Sequence, residues 1–225
     1  VMGDVLVNGD LSSPAGSSNE LLLCGSAAQT IAGTGSITAG SFTVADHADV
    51  TLDRGIAIET AVNVFGKLNF TTQQITGTAN FAANGNEPAV AAGTGNTVAG
   101  SFLITGNTTV TTAAIGKSIS GTGIATNTSV VALSAGNDTI FISQAALATN
   151  TSVALEISTT AGTLATALGF DAVAGSLTTT GSKTFADDLN YIINGTTAAP
   201  FGISTTSSAN MIQVGFVELN AAAIT

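Results

Sequence analysis

Short β-branched or apolar segments, each bounded by Gly, Asn or Asp, follow one another along most of this chain. Examples are Glu20–Cys24, Val50–Leu52, Ile56–Ile58 and Lys67–Phe70, with turns such as Asn8-Gly9-Asp10 between such segments. Segments of this length and composition are typical of strands. The one stretch with helical spacing, residues 161–174, is interrupted by two glycines, so it predicts a helix only weakly. The sequence therefore predicts an all-β fold.

Charge excludes several classes of partner. The chain has 4 basic and 14 acidic residues among 225, which gives a net charge of −10. Four scattered cations cannot form the basic surface that neutralises phosphates, so we expect no nucleic-acid partner. An anionic membrane surface would repel the chain for the same reason, and no apolar run is long enough to span a bilayer, so we expect no membrane insertion. With 44% hydrophobic residues, the composition is typical of a folded chain.

Two stretches of the chain are similar to each other. Residues 21–51 read LLLCGSAAQTIAGTGSITAGSFTVADHADVT, and residues 191–225 read YIINGTTAAPFGISTTSSANMIQVGFVELNAAAIT. Each opens on an apolar strand followed by Gly and Ser or Thr, and each closes on a matching stretch, Phe42–Thr51 and Phe216–Thr225. Recurrence of one unit indicates a repeat architecture.

These units resemble those of bacterial and phage surface proteins of the parallel β-solenoid type, namely adhesin and filamentous-haemagglutinin-like repeats. The resemblance covers residues 1–82 and 183–225, and its motifs are patterns of small residues. It implies a parallel β-solenoid (β-helix) in which corners take Gly and Asn and inward positions take aliphatic residues. A β-sandwich or jelly roll is the alternative fold. Either way, the resemblance implies an extracellular or cell-surface location.

Residues 98–157 differ from the flanking units and resemble a small β module of phage and bacterial surface proteins, through the stretches 116–124 and 139–146. Gly136-Asn137-Asp138 predicts a hairpin turn between strands 129–133 and 139–143. Strands 102–105 and 152–157 are expected to bring the ends of the module together, as an insertion requires. We therefore predict a first solenoid segment at residues 1–95, an inserted antiparallel β module at 96–160, and a second solenoid segment at 161–225.

The residue types that carry catalysis are scarce. His47, the single His, lies in Asp46-His47-Ala48-Asp49, which is typical of a solvated turn between strands, and no Gly-x-Ser-x-Gly elbow is present. The neighbours Asp187 and Asp188 would point to opposite faces of a strand. The sequence predicts no catalytic residue, no cofactor site and no enzymatic activity.

A metal site and chemical modification are also weakly indicated. Asp46, Asp49 and Asp53 could gather around one turn and offer oxygen ligands to Ca²⁺, but no EF-hand or Gly-Gly-x-Gly-x-Asp repeat accompanies them. We therefore predict no metal site. The single Cys, Cys24, lies in an apolar run and is expected to be a buried small hydrophobe. Glycosylation sequons begin at Asn69, Asn107, Asn127, Asn137, Asn150 and Asn194.

Three functions remain open at this point. The first is a structural, self-assembling extracellular protein that forms a filament, sheath or surface layer, with copies of itself as partners through head-to-tail stacking of open β edges. A fragment of a longer solenoid would have such open edges too. The second is an adhesin or phage fibre segment that binds a surface glycan or host receptor through the inserted module. The third is a polysaccharide enzyme whose site has degraded.

Overall fold

The structure is a computed structural model that describes residues 1–12, 19–71, 73–166, 179–186, 188–193 and 216–219. It is all-β, and its short 3-10 turn is Thr112–Ala114. The strands are β1 Val5–Leu6, β2 Leu11–Ser12, β3 Glu20–Leu23, β4 Ala28–Ala32, β5 Ile37–Val44, β6 Asp49–Leu52, β7 Ile56–Val64, β8 Lys67–Asn69, β9 Ile75–Gly77, β10 Asn80–Ala83, β11 Glu87–Thr97, β12 Leu103–Thr105, β13 Ser118–Ser120, β14 Val130–Leu133, β15 Thr139–Ile142, β16 Asn150–Thr159, β17 Thr163–Thr166, β18 Lys183–Phe185, β19 Asn190–Ile193 and β20 Phe216–Leu219.

The first face of the molecule is a parallel sheet of seven strands in the order β1-β4-β6-β8-β17-β19-β20. Val5 pairs with Ile31, Ala28 with Asp49, and Asp49 with Lys67, so successive turns take 26, 21 and 18 residues. Each strand between the two ends of the sheet therefore pairs with its equivalent one turn earlier and one turn later, which is the arrangement of a parallel β-solenoid. The predicted solenoid is confirmed, in place of the facing sheets of a sandwich or jelly roll.

The second parallel sheet supplies the other two faces. Its order is β18-β10-β7-β5-β2, with β3 also paired to β5 and β9 to β7. The long strand β5 pairs with β2 at Ile37 and Thr38, and with β3 from Ser41 onward, and its register with β7 shifts between Ala39 and Ser41. A register shift of this kind bends a strand. The bend turns each long strand into two sides of a roughly three-sided coil.

Alternating burial fills the centre of the coil. In β6, Val50 and Leu52 are fully buried, whereas the alternating residues Asp49 and Thr51 are partly exposed. Val50 stands in register with Leu68, and Leu68 with Leu164, so aliphatic side chains stack along the axis. The rings of Phe81 and Phe185 lie 5.8 Å apart within the same core. Each fully buried side chain of this size contributes about 1.5–3 kcal/mol.

The antiparallel unit leaves the coil after β10 and returns before β17. Its order is β13-β16-β11-β12-β15-β14, and Glu87 pairs with Thr159 where the chain enters and leaves. The two ends of this order, β13 and β14, are also connected: Gly116 N donates to Val130 O at 2.9 Å, and Val130 N donates to Lys117 O at 2.9 Å. These bonds join the two outer strands, so the sheet closes into a small barrel around its own core. That core comprises Ala92, Ile104, Val110, Ala114, Ile119, Ile124, Val130, Ile140, Ile142, Val153 and Leu155.

Several local predictions can be compared with these elements. The hairpin is confirmed, since β14 and β15 pair antiparallel and Asn137 has a positive φ of 56° in the turn. The ends of the antiparallel unit are brought together by β11 and β16. The predicted strand 152–157 lies within β16 and has the expected role, whereas the predicted strand 102–105, which corresponds to β12, does not. The helix at 161–174 is wrong where the structure describes it, because Thr163–Thr166 forms β17; residues 167–174 lie outside the described residues. Residue 96 falls within β11, and the limits 96 and 160 stay predictions as domain boundaries.

Where the structure describes both of the similar stretches, their matching residues lie on different faces of the coil. Leu21–Leu23 belong to β3 of the second sheet, but the matching residues 191–193 belong to β19 of the first. Phe42 lies in β5 of the second sheet, whereas Phe216 begins β20 of the first. Every face of a solenoid favours a short apolar strand followed by a Gly or Thr turn. A chain with so few residue types therefore produces similar stretches on different faces.

Candidate interaction surfaces

A buried carboxyl group joins the solenoid to the barrel. Asp46 follows β5 at a corner of the coil, and its side chain is fully buried. One carboxyl oxygen accepts a hydrogen bond from Ser118 Oγ of the barrel at 2.7 Å, and the other accepts one from Thr160 Oγ1 at 2.5 Å. Thr160 N also donates to this carboxyl, at 3.2 Å. Asp46 therefore binds both β13 of the barrel and the segment that leads back to the coil.

The backbone of the same corner adds further bonds to the barrel. Asp46 N donates to Gly116 O at 2.7 Å, and Ser129 Oγ donates to Asp46 O at 2.9 Å. The next residue, His47, adopts a positive φ of 63°, and its backbone N donates to Asp46 Oδ1 at 3.1 Å. A buried polar group is stable only when it is fully hydrogen-bonded, and this corner meets that condition through residues far away in sequence.

Apolar and charged contacts complete the joint. Gly116 has a φ of +88°, and a Cβ placed on it would lie 2.9 Å from Thr43 Cγ2 and 3.0 Å from the Phe65 ring. The adjacent Lys117 pairs with Glu87, with 2.5 Å between Nζ and Oε2, and lies 6.0 Å from the centre of the Phe65 ring. Val131 packs on the solenoid core from the barrel side. We therefore infer a barrel held in one orientation on the coil.

The residues considered for catalysis have other partners. His47 Nε2 lies 3.5 Å from Asp46 Oδ2, and it is Asp46 that contacts the Ser118 hydroxyl. A nucleophile is activated when the base itself contacts the hydroxyl. Here Asp46 lies between His47 and Ser118, so the imidazole of His47 does not contact the Ser118 hydroxyl. The interpretation of Asp46 as part of a solvated turn is wrong, because docking of the barrel buries it. Asp187 lies outside the described residues, and Asp188 accepts a hydrogen bond from Asn86 N at 2.8 Å.

The three carboxylates considered for Ca²⁺ do not converge. Asp46 faces the barrel, Asp49 pairs with Lys67 at 2.8 Å, and Asp53 is exposed. Within the described ranges, no three His, Cys, Asp or Glu side chains are grouped so that they could hold a metal ion. The absence of catalytic and cofactor residues stays a prediction from the sequence.

Cys24 and the sequons can also be placed. Cys24 is buried, as predicted, and burial raises the pKa of its thiol. Asn107 is buried, and its Nδ2 donates to Ala92 O at 2.8 Å and to Thr94 O at 2.9 Å. The side-chain nitrogen that a glycan would modify is therefore hydrogen-bonded inside the barrel. Asn127 is exposed. Asn194 lies outside the described residues.

The first turn of the coil has an open, apolar edge. Val7 N donates to Ala32 O at 3.0 Å, and Val7 O accepts from Gly35 N at 2.9 Å. Because peptide groups alternate in direction along a strand, the N–H of Leu6 points away from β4. The Leu6 side chain is 68% exposed, and Met2 and Leu11 of the same first turn are also exposed. Within the described part of the chain β1 has no strand on its outer side, so this edge offers backbone groups as well as apolar side chains.

Exposed apolar residues fall into two groups. The described part of the chain has ten large exposed hydrophobic side chains, and four of them are on the first turn of the coil. Five more are on the barrel, and we call them the apolar patch: Val98, Phe102, Leu103, Phe141 and Leu147. Val90, also on the barrel, is the tenth. Phe102 and Phe141, expected as strand residues, are therefore on the outside of the barrel.

Fold and joint together define this chain as a parallel β-solenoid with a small antiparallel barrel fixed to one corner. No family model matches the chain, and no curated protein or solved structure is significantly similar to it. The described residues include no helix with the length and hydropathy needed to cross a membrane.

Proposed function

We propose that this protein is structural and assembles with copies of itself, head to tail along the coil axis, into an extracellular filament, sheath or surface layer. The observation that carries the proposal is the edge of the first turn. It combines the outward-pointing N–H of Leu6, on a strand that pairs only with β4 among the described residues, with the exposed side chains of Met2, Leu6 and Leu11. An uncovered edge of this kind favours pairing with another strand, and soluble proteins commonly block such edges with Lys, Pro or a covering loop.

The direction of the strands makes the two ends compatible. Every strand pair that the structure describes in the two solenoid sheets is parallel. At the far end, β20 closes the order of the first sheet and β18 that of the second. Since every strand runs the same way, the edge of β20 in one copy can continue the ladder at β1 of the next. Such a contact is heterologous and does not close, so it produces a filament.

Composition supports a location outside the cell. The chain is low in charge, rich in Thr, Ser and Gly, and has one buried thiol. Its sequence resembles bacterial and phage surface solenoids of the adhesin and haemagglutinin-like type. We assign it no enzymatic role, since its polar clusters join one unit of the fold to another.

The proposal is tested by comparing Leu6→Lys with Val90→Lys. Leu6 is 68% exposed and Val90 is 63% exposed, so the two changes add the same charge at similarly exposed positions. We expect the parent chain and Val90→Lys to form filaments in a concentration series followed by electron microscopy and sedimentation. Leu6→Lys should stay unassembled, because a Lys at the open edge opposes pairing.

Two results would contradict the proposal. One is a parent chain that sediments as a monomer at every concentration with no filaments in the microscope. The other is equal assembly by Leu6→Lys and Val90→Lys. Either would mean that the first turn is not covered by another copy.

The alternative, a surface protein that binds a glycan or host receptor through the barrel, has one observation in its favour. Phe102 and Phe141 are exposed on the barrel rather than buried in it, and aromatic residues are enriched at recognition surfaces. Binding of the labelled chain to a glycan array or to host cells, lost in Phe141→Ser and kept in Val90→Ser, would favour this function over assembly.

A further inference from the structure

The apolar patch lies on elements that are hydrogen-bonded to one another. Leu103 of β12 and Phe141 of β15 are directly paired across the two strands. Phe102 precedes Leu103, and its carbonyl accepts a hydrogen bond from Ile142 N at 3.0 Å. Val98 and Leu147 lie on two loops joined by Gly100 N to Ala146 O and by Ala146 N to Ser101 O, each 2.8 Å.

Folding of the barrel does not account for these side chains. The barrel interior is already filled by its own core, to which Ile104, Ile140 and Ile142 contribute from the same strands. Leu103 and Phe141 alternate with these residues and so point outward. The barrel edges are joined by hydrogen bonds, so no strand edge is left for the patch to protect. Contiguous exposed apolar residues on a closed domain indicate an interaction surface.

The patch supplies a large part of the apolar area that a specific dimer needs. Phe102 is 45% exposed and Phe141 is 40% exposed, which is roughly 80–90 Å² for each ring. With the three aliphatic residues, of which Leu147 is 70% exposed, the apolar area is on the order of 400 Å². A standard interface takes about 800 Å² from each partner, of which about 56–65% is apolar. The patch therefore supplies most of the apolar share of one side.

We propose that the apolar patch binds the same patch of a second copy, so that two barrels pair about a two-fold axis. The five side chains carry no charge and no hydrogen-bonding group, so the fitting partner is equally apolar, and the patch of a second copy is such a surface. In an isologous contact each residue is used twice, so the Leu103–Phe141 pair of one copy can pack on that of the other. This pairing is independent of coil stacking. Where both operate, it connects neighbouring filaments side by side.

The test uses the full chain carrying Leu6→Lys, in which stacking of coil ends is blocked and pairing of barrels is left intact. We expect sedimentation equilibrium across a dilution series to show a monomer–dimer equilibrium. Phe141→Ser and Leu147→Ser should each weaken the dimer at least ten-fold. Val90→Ser, at an exposed position outside the patch, should leave the dissociation constant unchanged. Unfolding midpoints of all variants establish that the fold is kept, and Leu147→Ser provides the result should Phe141→Ser unfold.

Several outcomes would overturn the pairing. A monomer at all concentrations would do so, as would a dimer unaffected by Phe141→Ser and Leu147→Ser. A monomer whose patch is protected only after a glycan or host receptor is added would assign the patch to that partner instead. Because stacking is read from filaments of the parent chain and pairing from the Leu6→Lys background, one proposal can fail while the other stands.

Discussion

Replacement of Asp46 with Ala should show how much the joint between coil and barrel contributes to stability. The change removes the acceptor for Ser118 Oγ, Thr160 Oγ1 and Thr160 N. Ser118 is buried, so its unsatisfied hydroxyl costs about 1–3 kcal/mol, whereas Thr160 is exposed and water can replace some of what it loses. We expect a loss of about 2–4 kcal/mol in the free energy of unfolding, or roughly 5–15 °C in Tm for a chain of this size.

The measurement is urea unfolding followed by far-UV circular dichroism, with linear extrapolation to water. Asp49→Ala is the matched control, since it removes the same group from a position whose side chain is 41% exposed and paired with Lys67. An exposed pair contributes at most about 1 kcal/mol. Asp46→Asn keeps one acceptor oxygen, so its loss in the free energy of unfolding should lie between those of Asp46→Ala and Asp49→Ala, at about 1–2 kcal/mol.

The reasoning would be refuted if Asp46→Ala cost no more than Asp49→Ala. A double-mutant cycle with Ser118→Ala gives a second check. If the hydroxyl and the carboxyl are coupled, the two changes together cost less than the sum of the single changes. Strict additivity would mean that the hydrogen bond at 2.7 Å contributes nothing to the joint.

Three further predictions use the same unfolding assay. Gly116→Ala should cost about 2–3 kcal/mol, since the added Cβ meets the Phe65 ring and the φ is positive, whereas Gly100→Ala has a φ of +79° with nothing within 4 Å and should cost only about 1 kcal/mol. The free energy of unfolding should fall as pH rises above the ordinary Cys pKa of 9.0, because burial raises the pKa of Cys24 and the thiol therefore ionises first in the unfolded chain. Cys24→Ala should remove this dependence of stability on pH. Asn107→Ala should cost about 2–4 kcal/mol, since Asn107 Nδ2 donates twice and Oδ1 accepts from two backbone N–H groups, and peptide mapping after expression in a glycosylating host should find this Asn unmodified.

Much of the fold could be predicted because it depends on local chemistry. Asn137 in the hairpin adopts the left-handed conformation that Asn tolerates well. The inward positions of β6 alternate with outward ones, as the period-two pattern requires. The Cys24 side chain is buried because the run around it is apolar. In each case, a window of a few residues contains the information.

The joint could not be predicted, because its partners are far apart in sequence. Asp46 meets Ser118 and Thr160 at separations of 72 and 114 residues. On local grounds, a stretch with two Asp and one His is a solvated turn, and only docking of the barrel changes that outcome. The exposure of Phe141 was equally out of reach, because it lies between Ile140 and Ile142. A run that is apolar at every position does not show which residues face outward.

The contrast between the two units of the fold leads to a measurable filament geometry. The barrel is closed by hydrogen bonds between its outer strands, so it offers no ladder for growth, whereas the first face of the coil has β1 and β20 as its outermost described strands. If copies stack as proposed, growth follows the coil axis, with the seven described strands of the first face added per copy. At about 4.8 Å per strand, the axial repeat should be roughly 34 Å. Fibre diffraction should show a reflection at about 4.8 Å along the axis, and electron microscopy should show one barrel per repeat. A repeat of about twice this length would mean that copies alternate in direction, which parallel stacking of the coil ends does not allow.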